Sequence, residues 1–281
     1  MSIKQNKLSK NSYYMRLALM EAYKAIGNTK TNPAVGCVLV KNDCIISAAS
    51  TSKHGRPHAE HNAINLCKEN IRNAKLYVTL EPCSHYGKTP PCVATIIKNK
   101  IKKVFFSIKD PDPRSFNKSL SIFRKKNLFV KDGIYSKEIK NFYRSYLKYK
   151  KDNLPFVTSK LAISKDFYTS NIKKRWLTNK YSRGRVHIMR SQHDCILTSA
   201  RTIIDDNPRL NCRINGLEHN SPNKIILDKN LITPIKSRII EKTKNFNTVI
   251  FYNKGNRKKI EIFRKHKIKL IRTKLDIDGN F

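Results

Sequence analysis

A histidine, a glutamate and two cysteines place the strictest demand on how this chain folds. They stand in His58-Ala-Glu60 and in the later run Glu81-Pro-Cys83-Ser-His-Tyr-Gly-Lys-Thr-Pro-Pro-Cys92. A catalytic zinc takes three protein ligands and keeps a fourth position open for water. His58, Cys83 and Cys92 offer one nitrogen and two thiolates for such a site. Two thiolates cancel the charge of Zn²⁺, so a bound water is only moderately acidified and a nearby base is needed. Glu60 stands two residues from the first ligand. To work together, these residues must be delivered to one point by separate secondary-structure elements.

The surrounding sequence supplies those elements. Tyr14, Ala18, Ala22, Ala25 and Ile26 recur at helical spacing, and Gly27 sits where a C-terminal cap belongs. Val35–Val40 and Cys44–Ala49 are short apolar runs joined by Lys41-Asn-Asp43, which suits a hairpin turn. The spacing predicts a helix from His58 to Glu69, a strand at Leu76–Leu80, a helix started by Pro90-Pro91, and a strand at Lys103–Ile108. Asp110-Pro-Asp-Pro113 is a turn, and a weaker helix–strand–helix run follows to about residue 149. Strands alternating with helices predict an α/β sheet covered on both faces. His58 and Cys92 fall at helix starts, where backbone N–H groups are expected to favour a thiolate at Cys92.

The polar stretch Lys148–Pro155 reads as a boundary, so the chain is divided into residues 1–150 and 151–281. A new apolar run, Phe156–Ile163, opens the second part as a strand. Further strands are expected at Cys195–Thr198, Lys224–Leu227, Thr248–Tyr252 and Ile268–Ile271. A length of 281 residues allows a core in each part.

Composition narrows the function classes. No stretch approaches the ~18 uncharged apolar residues of a membrane span, so no membrane association is expected. The basic N-terminus lacks the apolar core of a signal peptide. Seven cysteines, an odd number, fit a reducing cytoplasm better than a disulfide scaffold. The net charge of +38 is evenly spread, +20 through residue 150 (29 basic, 9 acidic) and +18 after it (29 basic, 11 acidic). A nucleic-acid binder concentrates its charge in a patch or stripe, so nucleic acid is not the expected partner. The charge does favour phosphorylated substrates.

The non-ligand glutamate in H-x-E, followed by P-C and a second cysteine, is the pattern of zinc deaminases. That pattern has two residues between its cysteines, and this chain has eight. Two cysteines beside prolines are also what buried, inert thiols look like. A structural zinc closed by a fourth ligand, for which His85 is the candidate, is a further reading.

Several longer segments resemble the bifunctional riboflavin-biosynthesis deaminase/reductase family. They are Asn32-Pro-Ala-Val-Gly-Cys-Val38, Pro57-His-Ala-Glu60, Tyr77–Cys92 with its long cysteine gap, and Lys109-Asp-Pro-Asp-Pro113. Beyond the boundary the resemblance continues in Lys160-Leu161, Trp176-Leu-Thr178, Ile196-Leu-Thr198 and Asp206-Asn-Pro-Arg-Leu-Asn-Cys-Arg213. It implies a cytidine-deaminase-like three-layer zinc domain followed by a dihydrofolate-reductase-like α/β domain. The implied chemistry is hydrolysis of the 2-amino group of a phosphoribosylamino-pyrimidine, then NADPH-dependent reduction of the ribosyl to a ribityl chain. The implied zinc ligands are His58, Cys83 and Cys92, with Glu60 shuttling protons. Asn32, His85 and Lys88 match substrate contacts in the deaminase. In the reductase, Ala162, Trp176, Thr202 and Asp206 match cofactor contacts, and Arg190, Leu210 and Arg213 match substrate contacts. A cytoplasmic homo-oligomer is expected.

The chain also departs from the family. Ser164-Lys-Asp-Phe-Tyr168 replaces Ser-Leu-Asp-Gly-Arg, and Lys174 stands where a substrate-contacting Ser is expected. Ala49-Ser-Thr51 replaces a Gly-x-His segment, and Arg56 replaces an acidic residue. The family's C-terminal glycine-rich cofactor segment, with its substrate-binding Glu, has no counterpart before Phe281, so the reductase domain is expected to be truncated. Three alternatives stay open: a deaminase with a non-functional reductase remnant, a tRNA or nucleobase deaminase, and a degraded homologue.

Overall fold

A computed structural model describes residues 9–87, 89–169, 176–241 and 247–281. The chain forms two compact units, Met1–Ser159 and Lys160–Phe281.

The first unit contains α1 (Lys10–Ala25), β1 (Gly36–Lys41), β2 (Cys44–Ser50), α2 (Ala59–Leu66), β3 (Lys75–Leu80) and α3 (Cys92–Lys98). It continues with β4 (Lys103–Ile108), α4 (Lys118–Lys125), β5 (Phe129–Lys131), α5 (Ser136–Phe142) and α6 (Arg144–Asp152). The strands make one sheet in the order β2-β1-β3-β4-β5. β1 runs antiparallel to β2 and β3, while β3, β4 and β5 are parallel. The β1–β2 hairpin turns through Asn42 and Asp43, both at positive φ, which short polar side chains tolerate. Parallel neighbours need a crossover, and α3 and α4 provide those after β3 and β4.

Alternation along the strands divides the core between two faces. Val38, Tyr77 and Phe105 line up in register on one face, with the Tyr77 and Phe105 rings stacked at 4.7 Å. Helix α1 covers this face, bringing Tyr14 to 5.1 Å from Tyr77. Cys37, Val78 and Phe106 line the opposite face, where α2 packs against β1 and β2. The first sheet is therefore covered on both sides, as the alternation of elements predicts.

Close approach of α1 depends on Gly36. A Cβ there would lie 1.9 Å from the Ala18 carbonyl oxygen and 2.6 Å from the Ala22 nitrogen. Both obstacles are backbone, so no side-chain rotation relieves them.

The second unit contains α7 (Lys180–Ser191), β6 (Cys195–Ser199), α8 (Ala200–Asp206), β7 (Asn223–Leu227), α9 (Arg238–Glu241), β8 (Thr248–Tyr252), α10 (Arg257–Lys265) and β9 (Lys269–Arg272). Its sheet is wholly parallel, in the order β6-β7-β8-β9. Ile226 and Ile250, paired in register, sit in the core with Ile203 and Phe263. Ile225 and Val249 on the other face are only partly buried. The strand expected at Phe156–Ile163 does not form: this segment has no strand pairing, and Val157 and Leu161 are exposed. A run of apolar residues makes a strand only where another edge offers it hydrogen bonds. Among the described residues no helix is long and apolar enough to cross a membrane.

Two glycine substitutions separate crowding from conformational freedom. Gly36→Ala is expected to destabilise the first unit by about 2 kcal/mol or more, because the added methyl forces α1 off the sheet. Gly184→Ala, inside α7 with nothing within 4 Å of the new Cβ, is expected to stabilise the second unit by up to about 1 kcal/mol. Urea denaturation followed by far-UV circular dichroism measures both changes, and the two should have opposite signs.

Candidate metal centre and substrate cleft

Three segments of the first unit deliver the metal-binding atoms. His58 is the residue that starts α2, in extended conformation. Cys83 follows the end of β3, and Cys92 is the first residue of α3. Their donor atoms all lie within 4.8 Å of one another. His58 Nδ1 is 3.3 Å from Cys92 Sγ and 3.5 Å from Cys83 Sγ. A tetrahedral zinc with its usual bond lengths separates N and S ligand atoms by ~3.6 Å. This donor set and spacing fit zinc, with Nδ1 as the imidazole donor.

Charge in this cluster is arranged unevenly. The Cys92 thiol, and then the His58 ring, hydrogen-bond to Cys83 and hold its thiol well below the usual range. Cys92 is pushed the other way, by its hydrogen bond to Cys83 and by burial. The helix start expected to favour a thiolate at Cys92 aims a backbone N–H at Cys83: the Cys92 N–H donates to Cys83 Sγ at 3.4 Å. Glu60 is the second residue of α2 and is buried. Burial pushes its carboxyl up to about 7, against the pull of His58.

A carboxylate the sequence reading left without a role fixes this geometry. Glu81 is buried and its two oxygens are fully used. Oε2 accepts the N–H groups of Asp110 and Asn117, each at 3.2 Å. Oε1 accepts the Ser119 N–H at 3.2 Å and its hydroxyl at 2.7 Å. Glu81 thereby joins the exit of β3, two residues before Cys83, to the Asp110–Pro113 turn and to the start of α4. Its place directly before Pro-Cys was the available signal.

One cleft opens onto the cluster. It is lined by His58, Glu60 and Cys83, and also by Asn32, Thr51, Arg56, His85, Asp110, Asp112, Arg114, Tyr146 and Lys150. Asn32 is held there by donating to the Gly55 carbonyl at 3.1 Å. His85 Nδ1 is 3.1 Å from the Ser115 hydroxyl. Lys88 lies outside the described residues, as does Lys174. Asp112 binds Arg114 at 2.7 Å and Lys150 at 3.0 Å, and the Arg114 hydrogen bond holds its carboxyl well below the usual range. Burial instead raises Asp110, although it accepts hydrogen bonds from the Asp112 N–H and the Tyr146 hydroxyl. Arg114, Tyr146 and Lys150 had no motif of their own and went unnoticed in the sequence.

In the second unit, Arg190 and Arg213 are drawn to the same short segment. Arg190 Nη1 donates to the Asn211 carbonyl at 3.2 Å, and Arg213 Nη1 to the Asn211 side chain at 3.0 Å. The Arg213 N–H donates to His187 Nδ1 at 3.2 Å. Burial, and then the charge of Arg213, lower the Arg190 guanidinium from its usual value. Leu210, at positive φ and buried, carries the chain into this segment. Thr202 and Asp206 lie one turn apart on α8, directly after β6. Trp176 is exposed, with the Arg183 guanidinium 4.9 Å from its ring centre. Ala162 is in a non-regular stretch at the start of the unit.

The comparisons agree with this division of labour. Residues 8–108 match the family model described as the cytidine and deoxycytidylate deaminase zinc-binding region. Residues 155–280 match the RibD C-terminal domain. The chain is 36% identical over 253 residues to the riboflavin biosynthesis protein RibD of Actinobacillus pleuropneumoniae, covering 89% of this chain and 67% of that protein. It is 35% identical over 247 residues to RibD of Aquifex aeolicus, covering 87% and 69%. For RibD of Bacillus amyloliquefaciens the identity is 36%, over 81% of this chain and 62% of that protein. The chain thus spans about two thirds of the length of these relatives, 62–69%. Among solved structures, a diaminohydroxyphosphoribosylaminopyrimidine deaminase/5-amino-6-(5-phosphoribosylamino)uracil reductase from Thermotoga maritima aligns with a TM-score of 0.84 and 31% identity, over 96% of this chain and 76% of that one. RibD of Acinetobacter baumannii aligns with a TM-score of 0.82 and 29% identity, over 95% and 75%. Similarity that runs through both units favours a deaminase joined to a reductase over a lone nucleobase deaminase. The chain belongs to the RibD family of riboflavin-biosynthesis proteins, with a deaminase domain followed by a reductase domain.

Proposed function

We propose that the first unit hydrolyses the exocyclic amine of a phosphorylated ribosylaminopyrimidine and that the second reduces the ribosyl group of the product. The observation that carries the first half is the meeting of His58, Cys83 and Cys92 beside the buried Glu60 at the floor of one cleft. His58, Cys83 and Cys92 would hold zinc. Bound there, zinc supplies the Lewis acidity that makes water nucleophilic near neutral pH.

The other steps fall to the chain's own groups. A Glu60 carboxyl raised to about 7 can both take and return a proton at neutral pH. Glu60 takes one proton from the attacking water as the C–O bond forms at the amine-bearing carbon. It passes that proton to the ring nitrogen. It then carries the second proton to the amine, which leaves as ammonia when the C–N bond breaks. Asn32 and His85 line the same cleft and would orient the base. Lys88 remains a proposed phosphate contact.

For the second unit, Arg190 and Arg213 offer two like charges converging on one segment, an arrangement that suits a phosphate. Together with Leu210 they would hold the substrate. NADPH would supply hydride. Thr202 and Asp206, on the helix that follows β6, would contact the cofactor, in keeping with the binding of nucleotides beyond the carboxyl ends of strands in open parallel sheets. Ala162 and Trp176 complete the proposed cofactor contacts. A cytoplasmic homo-oligomer belongs to the same proposal, and an odd number of cysteines suits that compartment.

Two experiments separate the halves. Glu60→Gln is expected to keep its zinc, measured by elemental analysis, and to lose ammonia release by on the order of 10²–10⁴-fold. Retained turnover in that variant contradicts the assignment. Arg213→Ala is expected to slow NADPH oxidation on the deaminated substrate about tenfold or more while leaving ammonia release unchanged. NADPH oxidation that is indifferent to Arg213 contradicts the substrate role given to it.

A further inference from the structure

The cleft of the first unit carries more positive charge than its metal chemistry uses. Three of its described lining residues are Arg or Lys: Arg56, Arg114 and Lys150. Arg114 and Lys150 are both spent on the Asp112 carboxylate, at 2.7 and 3.0 Å. Arg56 has no carboxylate partner among the described residues. Among the described residues its side chain makes one hydrogen bond, from Nη1 to the Thr89 hydroxyl. Its Nη2 passes so close to Gly87 that a Cβ there would lie only 2.9 Å away. The guanidinium therefore lies beside Gly87 and Thr89. It stands two residues before His58, half-buried, at the wall of the cleft.

A guanidinium held by one neutral partner, with N–H groups left over, in a cleft whose other described Arg and Lys side chains are paired with a carboxylate, is suited to receive an anion. Guanidinium matches a phosphate with paired hydrogen bonds. We infer that Arg56 is a specificity-determining residue of the deaminase cleft, binding the phosphate monoester of the substrate and so selecting phosphorylated over unphosphorylated pyrimidine ribosides. This inference rests on the deaminase reading given above. Arg56 makes no contact with the reacting carbon in this role. It acts on substrate affinity and leaves the proton transfers to Glu60.

The test compares two substrates on the zinc-loaded full chain: the phosphorylated ribosylaminopyrimidine and the same compound after phosphatase treatment. Ammonia release gives kcat and KM for wild type, Arg56→Ala and Arg56→Lys, with zinc content measured in each. The inference expects Arg56→Ala to raise KM about 10- to 100-fold for the phosphorylated substrate, with kcat changed little. It expects kcat/KM for the dephosphorylated substrate to stay within about twofold, so that selectivity collapses. Arg56→Lys keeps a point charge and should recover part of the loss. Inorganic phosphate should inhibit wild type competitively and Arg56→Ala far less. Equal losses on both substrates, loss of zinc from Arg56→Ala, or unchanged selectivity would each overturn the inference. Wild-type chain that releases ammonia from neither substrate would overturn the deaminase reading and this inference with it. Turnover with selectivity indifferent to Arg56 removes only the latter.

Discussion

Two cysteine sulfurs and an imidazole are held within 4.8 Å of each other, and two thiolates this close repel unless a cation lies among them. A first thiolate forms readily at Cys83, because the Cys92 thiol and the His58 ring donate toward it. That thiolate and the burial of Cys92 then hold the second proton in place. A divalent cation at the centre replaces both thiol protons and removes the repulsion. Several elements of the first unit bring these three donors together. The starts of α2 and α3 present His58 and Cys92, and the four hydrogen bonds accepted by Glu81 fix the strand exit that presents Cys83.

The same geometry explains why Glu60 can be a proton carrier. It lies in the first turn of α2, two residues from His58, in the protein interior. Burial raises its carboxyl to about 7, so neither protonation state is strongly preferred at neutral pH. The other acids of the cleft are set differently. Glu81 is saturated with hydrogen bonds, and Asp112 is neutralised by Arg114 and Lys150. Placement and partners leave one carboxyl of the cleft close to the metal donors with little else to do.

Much of this was legible before any coordinates. The paired apolar runs around Lys41-Asn-Asp43 are β1 and β2, and the β-branched runs after residue 190 are strands of one parallel sheet. Zinc-ligand spacing marked His58, Cys83 and Cys92, because few roles demand those residue types so near helix starts. Local signals failed where the answer depended on distant chain. Phe156–Ile163 is apolar but finds no strand partner, since an alternating or apolar pattern says nothing of which edge is free. Arg114, Tyr146 and Lys150 enter the cleft through the Asp110–Pro113 turn and α6, a meeting that no periodicity announces. The helix start at Cys92 also serves a second sulfur, because its N–H donates to Cys83 across the turn, a contact that spacing alone does not announce.

The central claim is an open zinc site with one nitrogen and two sulfurs from the chain. X-ray absorption spectroscopy at the zinc edge of the metal-loaded chain tests it directly. The account predicts two sulfur scatterers at ~2.3 Å and two lighter N or O scatterers at ~2.0–2.1 Å, with only one imidazole signature. A second imidazole or a third sulfur would mean a closed structural site and would contradict it.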